Sequence, residues 1–277
     1  MPARQYTGRM PATDLQRIAA FRAAFARRQA ATVIEAPGGV AVFEPEYAAS
    51  HEHNQLIIDG APDPHQLLSL ADTTLADLPH RRITVLDDAV GAACVPVLTE
   101  AGYAHESELV MTYSGTAPTA GALAETVTLA DLRSAVVRQL RIWMPQADDE
   151  VLRQLSERRT ARLRGADQVR FLAVRDEQGT VGSWADVYLD TAQGMGQIEE
   201  VVTADAHRRR GYADLLLATA LRHVPDHPCS SSSPIPTTGR APGTPAVAST
   251  RSAAPTSSPG KGHNLKVTSP LRTGWSG

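Results

Sequence analysis

Ile198-Glu199-Glu200-Val201-Val202-Thr203-Ala204-Asp205-Ala206-His207-Arg208-Arg209-Arg210-Gly211-Tyr212-Ala213 passes from an apolar, β-branched run into a basic loop, and then into a helical pattern carried by Leu215, Leu216, Leu217, Ala220 and Leu221. The order is strand, loop, helix. A loop of this kind has a chemical use. The first turn of a helix presents unsatisfied N–H groups and the positive end of its dipole, and small residues let a backbone approach a phosphate closely. Arg208 to Ala213 would form such a cradle; the competing reading is a solvated, arginine-rich helix start that holds nothing.

Upstream, the pattern that leads to this loop occurs twice. Asp14 to Arg28 reads as a helix with Leu15, Ile18, Phe21, Ala24 and Phe25 on one face. Strands Thr32 to Ala36 and Val40 to Glu44 flank the turn Pro37-Gly38-Gly39, and Gln55 to Asp59 is a third strand. A helix over Pro64 to Leu78, a strand Ile83 to Leu86, a helix Ala89 to Ala101 closed by Gly102, and a strand Glu108 to Tyr113 follow. After the small-residue segment Gly115 to Gly121 the pattern restarts. Thr128 caps a helix that Pro145 ends, Asp148 to Arg164 makes another with Leu152, Leu155 and Leu163 inward, and Phe171 to Arg175 and Val181 to Leu189 form a hairpin before the strand at Ile198. The expected domains are residues 1–115, a linker 116–125, a second domain 126–224, and a tail 225–277.

The tail differs in composition. Both lysines, Lys261 and Lys266, lie in it, as do nine of the 19 prolines and the run Ser230 to Ser233, and no acidic residue follows Asp226. Without apolar periodicity it is expected to be disordered. The genetic code offers a second reading. Serine codons of the TCN type, read from their third base, encode only Phe, Leu, Ile or Val, so the shifted frame from Pro228 permits an apolar strand and, further on, an aromatic-rich helix.

The spacing Arg208-x-x-Gly211-x-Ala213, between a strand and a helix, resembles the acyl-CoA signature of the GNAT family of acetyl-CoA-dependent N-acetyltransferases. That resemblance implies an α/β fold with a mixed sheet, in tandem GNAT-like halves, the second copy incomplete and followed by the disordered tail. It implies a phosphate loop of Arg208, Arg209, Arg210, Gly211, Tyr212 and Ala213, and a pantetheine arm paired with the main chain at Val201 and Val202. Amide formation needs a base for the substrate ammonium and an acid for the departing thiolate. Glu199 and Glu200 are the carboxylates on the strand beside the cleft, and whichever faces the substrate is the candidate base. The tyrosine that many relatives use as acid lies in the segment this chain lacks, and Tyr212 belongs to the phosphate loop.

The first half has no such loop, because Gly60-Ala61-Pro62-Asp63-Pro64 follows its strand and two prolines delete N–H donors. The expected activity is transfer of an acetyl group from acetyl-CoA, as cosubstrate, to a primary amine of a small molecule. The alternative is a catalytically impaired acyl-CoA-binding or interaction protein. A net charge of -3 over 277 residues argues against a nucleic-acid partner. No apolar run reaches membrane-spanning length, no secretory leader is visible, and Cys94 and Cys229 form no disulfide framework, so a cytoplasmic location without membrane association is expected. The histidines have no metal-ligand spacing, His51-Glu52-His53 reads as a polar loop, and no metal is expected. A homodimer is compatible with the resemblance.

Overall fold

The computed structural model describes residues 12–113, 121, 123–224, 229–232 and 262–270. Helix α1 (Ala12–Gln29) buries Ile18, Phe21 and Phe25, spaced three and four residues apart, on one face. Strands β1 (Thr32–Ala36) and β2 (Gly39–Phe43) pair antiparallel, Ala36 opposite Gly39. Gly38 turns the hairpin at φ 73, a left-handed conformation open to glycine. Strand β3 (Gln55–Ile58) continues the antiparallel run, then pairs parallel with β4 (His80–Val85) across helix α2 (Pro64–Thr74). Asp63 starts α2 by accepting from His65 N and Gln66 N at 3.0 and 3.1 Å, with Pro64 where the missing N–H is harmless. Helix α3 (Asp88–Glu100), capped by Asp87, leads to β5 (Ala104–Tyr113). Leu56, Ile58, Leu67, Ile83, Val85 and Leu98 close the core of this half.

The second half opens on a short strand, β6 (Glu125–Val127), which the sequence reading did not include. Helix α4 (Leu129–Trp143) begins with a reciprocal capping box between Thr128 and Asp131. The expected single helix Asp148 to Arg164 is instead two, α5 (Asp149–Glu157) and α6 (Arg159–Arg162), broken at Arg158. Leu163 is half-exposed, and the buried face of α6 holds Arg159, Ala161 and Arg162. The apolar periodicity misled because charged side chains occupy the inner face. Strands β7 (Gln168–Arg175), β8 (Val181–Asp190) and β9 (Met195–Thr203) form an antiparallel run, and α7 (Tyr212–His223) packs Leu216 and Ala220 against it.

The two halves share one sheet of eleven strands, in the order β1-β2-β3-β4-β11-β5-β10-β9-β8-β7-β6, where β10 is Cys229–Ser232 and β11 is Gly262–Pro270. Helix α1 bridges the halves: Phe25 packs against Tyr188 with ring centroids 4.5 Å apart and the rings tilted by 30°, and Arg28 Nε donates to the Gly165 carbonyl at 2.6 Å. The tail, expected to be disordered, thus contributes two strands. β10 runs antiparallel to β5 and parallel to β9, while β11 lies parallel between β4 and β5. Backbone ladders satisfy N–H and C=O groups whatever the side chains, so composition alone missed them. Residues 225–228, 233–261 and 271–277 of the tail, 116–120 and 122 of the expected linker, and 114–115 before it lie outside the described residues. Among the described residues, no helix is long and apolar enough to cross a membrane.

Candidate functional site

Both carboxylates singled out on β9 owe their positions to an irregularity. Glu199 pairs with Asp186 and Val202 with Trp184, so Ala185 alone faces both Glu200 and Val201. This is a β-bulge, and Glu200 takes φ 49 to form it. In a regular strand, neighbours point to opposite faces. Here Glu199 and Glu200 both line a cavity of about 490 Å³ between the two halves, together with Val201 and Val202. The pairing of β10 with β9 ends at Ile198 opposite Ser231, so Val201 and Val202 have no strand partner on that side among the described residues.

Glu200 sits in a buried charge cluster. It accepts from Arg158 Nη2 and Arg162 Nη2, both at 2.7 Å, and also pairs with Arg159. Behind it, Asp186 is fully buried and accepts from Arg159 Nε at 3.1 Å, Arg162 Nη1 at 2.7 Å and Tyr188 Oη at 3.1 Å. Glu52 of the first half accepts from Arg162 Nη2 at 2.9 Å. Three guanidiniums therefore meet three carboxylates, which suits a cluster whose Arg159 and Arg162 are 2% and 1% exposed. Burial alone would raise the Glu200 carboxyl, but Arg159, Arg162 and Arg158 outweigh it and hold the group below the usual carboxylate range. Glu199 accepts from the neutral amide of Gln197 at 2.5 Å.

The loop after β9 is a short 3-10 turn, Asp205–His207, followed by Arg208 to Gly211. Arg209 and Gly211 have φ 63 and 75, and Gly211 stands at the start of α7 with no side chain capping the helix. A Cβ on Gly211 would meet nothing within 4 Å, so the approach to the first-turn amides of Tyr212 and Ala213 is open. Arg208 Nη2 pairs with Asp205 at 2.6 Å, whereas Arg209 and Arg210 are exposed. The Tyr212 ring packs over His207, whose Nε2 lies 2.9 Å from Asp176 Oδ2. Gly182 makes this packing feasible, since a Cβ there would come within 2.6 Å of the His207 ring. The loop does not line the 490 Å³ cavity; β9 connects the two.

The cavity floor comes from the first half. On β3 and β4, Leu56, Ile58, Ile83 and Val85 enter the core, and alternation turns Gln55, Arg82 and Thr84 to the cavity. Thr84 Oγ1 donates to Gln55 Oε1 at 2.6 Å. Arg82, Arg158, Arg159, Arg162 and Asp186 were not named from the sequence, and Glu52 was read only as part of a polar loop. The visible signal was weak: three arginines at i, i+1 and i+4, and a lone aspartate in an otherwise apolar strand. His51 and His53, expected in a polar loop, are neutral and packed. Burial lowers His51, stacked on His80 with ring centroids 3.8 Å apart, to about 4. Burial likewise lowers His53 to about 3, against the raising effect of Glu52. Among the described residues, no group of three or more His, Cys, Asp or Glu is arranged to hold a metal ion.

The sequence pattern of the acetyltransferase (GNAT) family matches residues 135–235, which include β9, the loop and β10. A GCN5-related N-acetyltransferase from Kribbella flavida is similar over 79% of this chain and 85% of its own, with 17% identity and a TM-score of 0.54. A spermidine N-acetyltransferase chimera from Vibrio cholerae and hSSAT matches 37% of this chain and 62% of its own at 16% identity, TM-score 0.30. A tandem GNAT protein from the clavulanic acid biosynthesis pathway matches 42% of this chain and 39% of its own at 20% identity, TM-score 0.28. The chain spans less than two thirds of either of these two, and at such scores neither carries an argument. No curated protein matches the chain.

Proposed function

With residues 135–235 forming a domain of the acetyltransferase (GNAT) family, we propose that the protein moves an acetyl group from acetyl-CoA to a primary amine of a small molecule by direct attack. The observation that carries this reading is the geometry after β9: an uncapped α7 preceded by a left-handed, sterically open Gly211, continuous with a strand whose carboxylates line a cleft. Phosphate oxygens fit there because the first-turn N–H groups of α7 have no side-chain acceptor. Arg208 to Ala213 would hold the pyrophosphate. The main chain of Val201 and Val202 would take the pantetheine arm. Bound acetyl-CoA supplies the thioester carbonyl that the amine attacks.

Of the two glutamates, Glu199 is assigned as the base. A general base works best when its basicity suits the operating pH, and three arginines hold Glu200 well below that. Glu199 would take the proton from the substrate ammonium, directly or through one water, so that the free amine forms where the carbonyl carbon lies. After attack the nitrogen gives up its second proton to solvent, the C–S bond breaks, and the thiolate leaves with a proton from solvent. Glu200 instead fixes the bulge that turns Glu199 inward. Glu199→Gln should lower turnover about a hundredfold with unchanged CoA affinity and thermal midpoint, measured by thiol release over an amine panel and by calorimetry. Unchanged turnover would remove the assignment.

The second reading is a catalytically impaired acyl-CoA-binding protein. It is favoured by the cavity lining, in which no tyrosine stands among the described residues to protonate the thiolate. CoA binding without thiol release for any amine would support it.

A further inference from the structure

Among the described residues, three of the four arginines that line the cavity are held by its glutamates, and Glu199 accepts from Gln197. Arg22 bonds Glu108 at 2.6 Å, and Arg158 and Arg162 share Glu52 and Glu200. Arg82 lines the same cavity from β4, yet its side chain makes no hydrogen bond or ion pair among the described residues, and its buried Nε has no acceptor. Of the carboxylates that act on it through space, Glu52 and Glu108 are each committed to another arginine, and Glu106 acts more weakly than either. Burial of a guanidinium without a partner costs free energy, so a protein that keeps one facing a cavity gains by binding an anion there. Strand alternation sets Arg82 on the face that carries Thr84, while Ile83 between them is core. A planar guanidinium with free N–H groups is the natural two-point partner of a carboxylate.

Part of the remaining wall is apolar, with Phe25, Ile57, Leu86 and Leu155 inside and the exposed Trp143 and Met144 nearer solvent, beside the polar Gln29, Gln55, Thr84 and Gln197. A volume of about 490 Å³ accommodates a small molecule of a few carbon atoms beside an acyl-donor arm.

We infer that the acceptor is a free amino acid with an apolar side chain, its carboxylate held by Arg82 and its amine directed to Glu199. This rests on the acetyl-transfer reading for the amine end only; the carboxylate end rests on Arg82 and the cavity. In the reaction one ammonium proton passes to Glu199, the amine nitrogen bonds the acetyl carbon, the C–S bond breaks, and the second nitrogen proton passes through solvent to the departing thiolate, while the carboxylate is unchanged. Arg82 is thus a specificity residue that touches substrate away from the reacting atoms.

The test measures binding by calorimetry, with and without CoA, of leucine and phenylalanine against the amines that lack only the carboxylate, isoamylamine and phenethylamine. The full chain and its Arg82→Met and Arg82→Lys variants are compared, with far-UV circular dichroism and thermal melts as folding controls. The parent is expected to bind the amino acids about tenfold or more tighter than the amines. That preference should fall below about twofold in Arg82→Met and be intermediate in Arg82→Lys, which keeps the charge without the fork. Equal affinity for acids and amines in the parent, no binding of either, or an undiminished preference in a folded Arg82→Met would overturn the inference. If Arg82→Met does not fold, Arg82→Lys decides alone: its preference must drop. Thiol release is read separately, so a carboxylate preference without any acetyl transfer would sink the transfer reading and leave this one standing.

Discussion

Gly211 combines two constraints that a side chain cannot meet together. Its φ of 75 is a left-handed conformation, which costs a β-branched residue on the order of 1–2 kcal/mol. The space where a Cβ would go is empty of protein, so the loop itself offers no clash. Gly211→Val should therefore leave most of the fold intact while placing methyl groups where phosphate oxygens would approach, and CoA binding should be lost in calorimetry. Equal affinity in mutant and parent would remove the phosphate-loop assignment. Arg208→Ala should weaken binding less, because Arg208 is already shared with Asp205. His53 gives a pH prediction. Its folded pKa of about 3 lies below the unfolded value of ~6.5, so between these pH values the unfolded chain binds the extra proton. Stability is complete above about pH 6.5 and falls by up to about 1.4 kcal/mol per pH unit from this group as pH drops toward 3. Urea midpoints from pH 7 to 4.5 should show that slope, reduced in His53→Gln. The loop proposed to hold phosphate could be picked out from residue types and spacing because such a cradle would be local in the chain. Arg82 and Glu52 could not, since what matters about them is which other charges they lack or meet across the sheet.

At the level of elements, helix starts were legible nearly to the residue: expected at Pro64, at Ala89 and behind the cap Thr128, they fall at Pro64, Asp88 and Leu129. Failures came where residue types ran against the element they form. Helix α6 turns Arg159 and Arg162 inward, against the rule that buried faces read as apolar, and β10 is a strand of Cys-Ser-Ser-Ser, outside the β-branched and aromatic runs by which strands are read. The buried partnership on α6 can be checked directly. Asp186→Asn leaves two buried guanidiniums under-compensated and should cost about 3 kcal/mol or more in denaturant unfolding. For β10, strand formers should outperform serine between β5 and β9. The alternative reading frame from Pro228 permits such residues. Expressed beside the chain as given, a frame-restored version should be more soluble, bind CoA more tightly and turn over acetyl-CoA faster. Comparable behaviour of the two would show that the serine strand is adequate.

The whole molecule is one continuous sheet with its cleft at the junction, so neither half owns the site. Glu52 and Arg82 come from the first half, and Glu199, Glu200 and Arg162 from the second. The duplication was visible in the sequence because each copy repeats helix, hairpin and strand. The fusion into one sheet was not, because it depends on strands far apart in the chain. Cutting the protein after Val224 removes both β10 and β11 and leaves β4, β5 and β9 with open edges, so the truncated form is expected to aggregate. A soluble, monomeric truncation with the parent's melting midpoint would contradict the placement of those strands. The position of β11 has a temporal consequence as well. β5 ends at Tyr113 and β11 begins at Gly262, yet β11 lies beside β5 and separates it from β4. During synthesis the ribosome must emit the whole second half before the first half can finish its sheet. Until then β4 and β5 wait with their facing edges bare, exposed to chaperones and to other nascent chains.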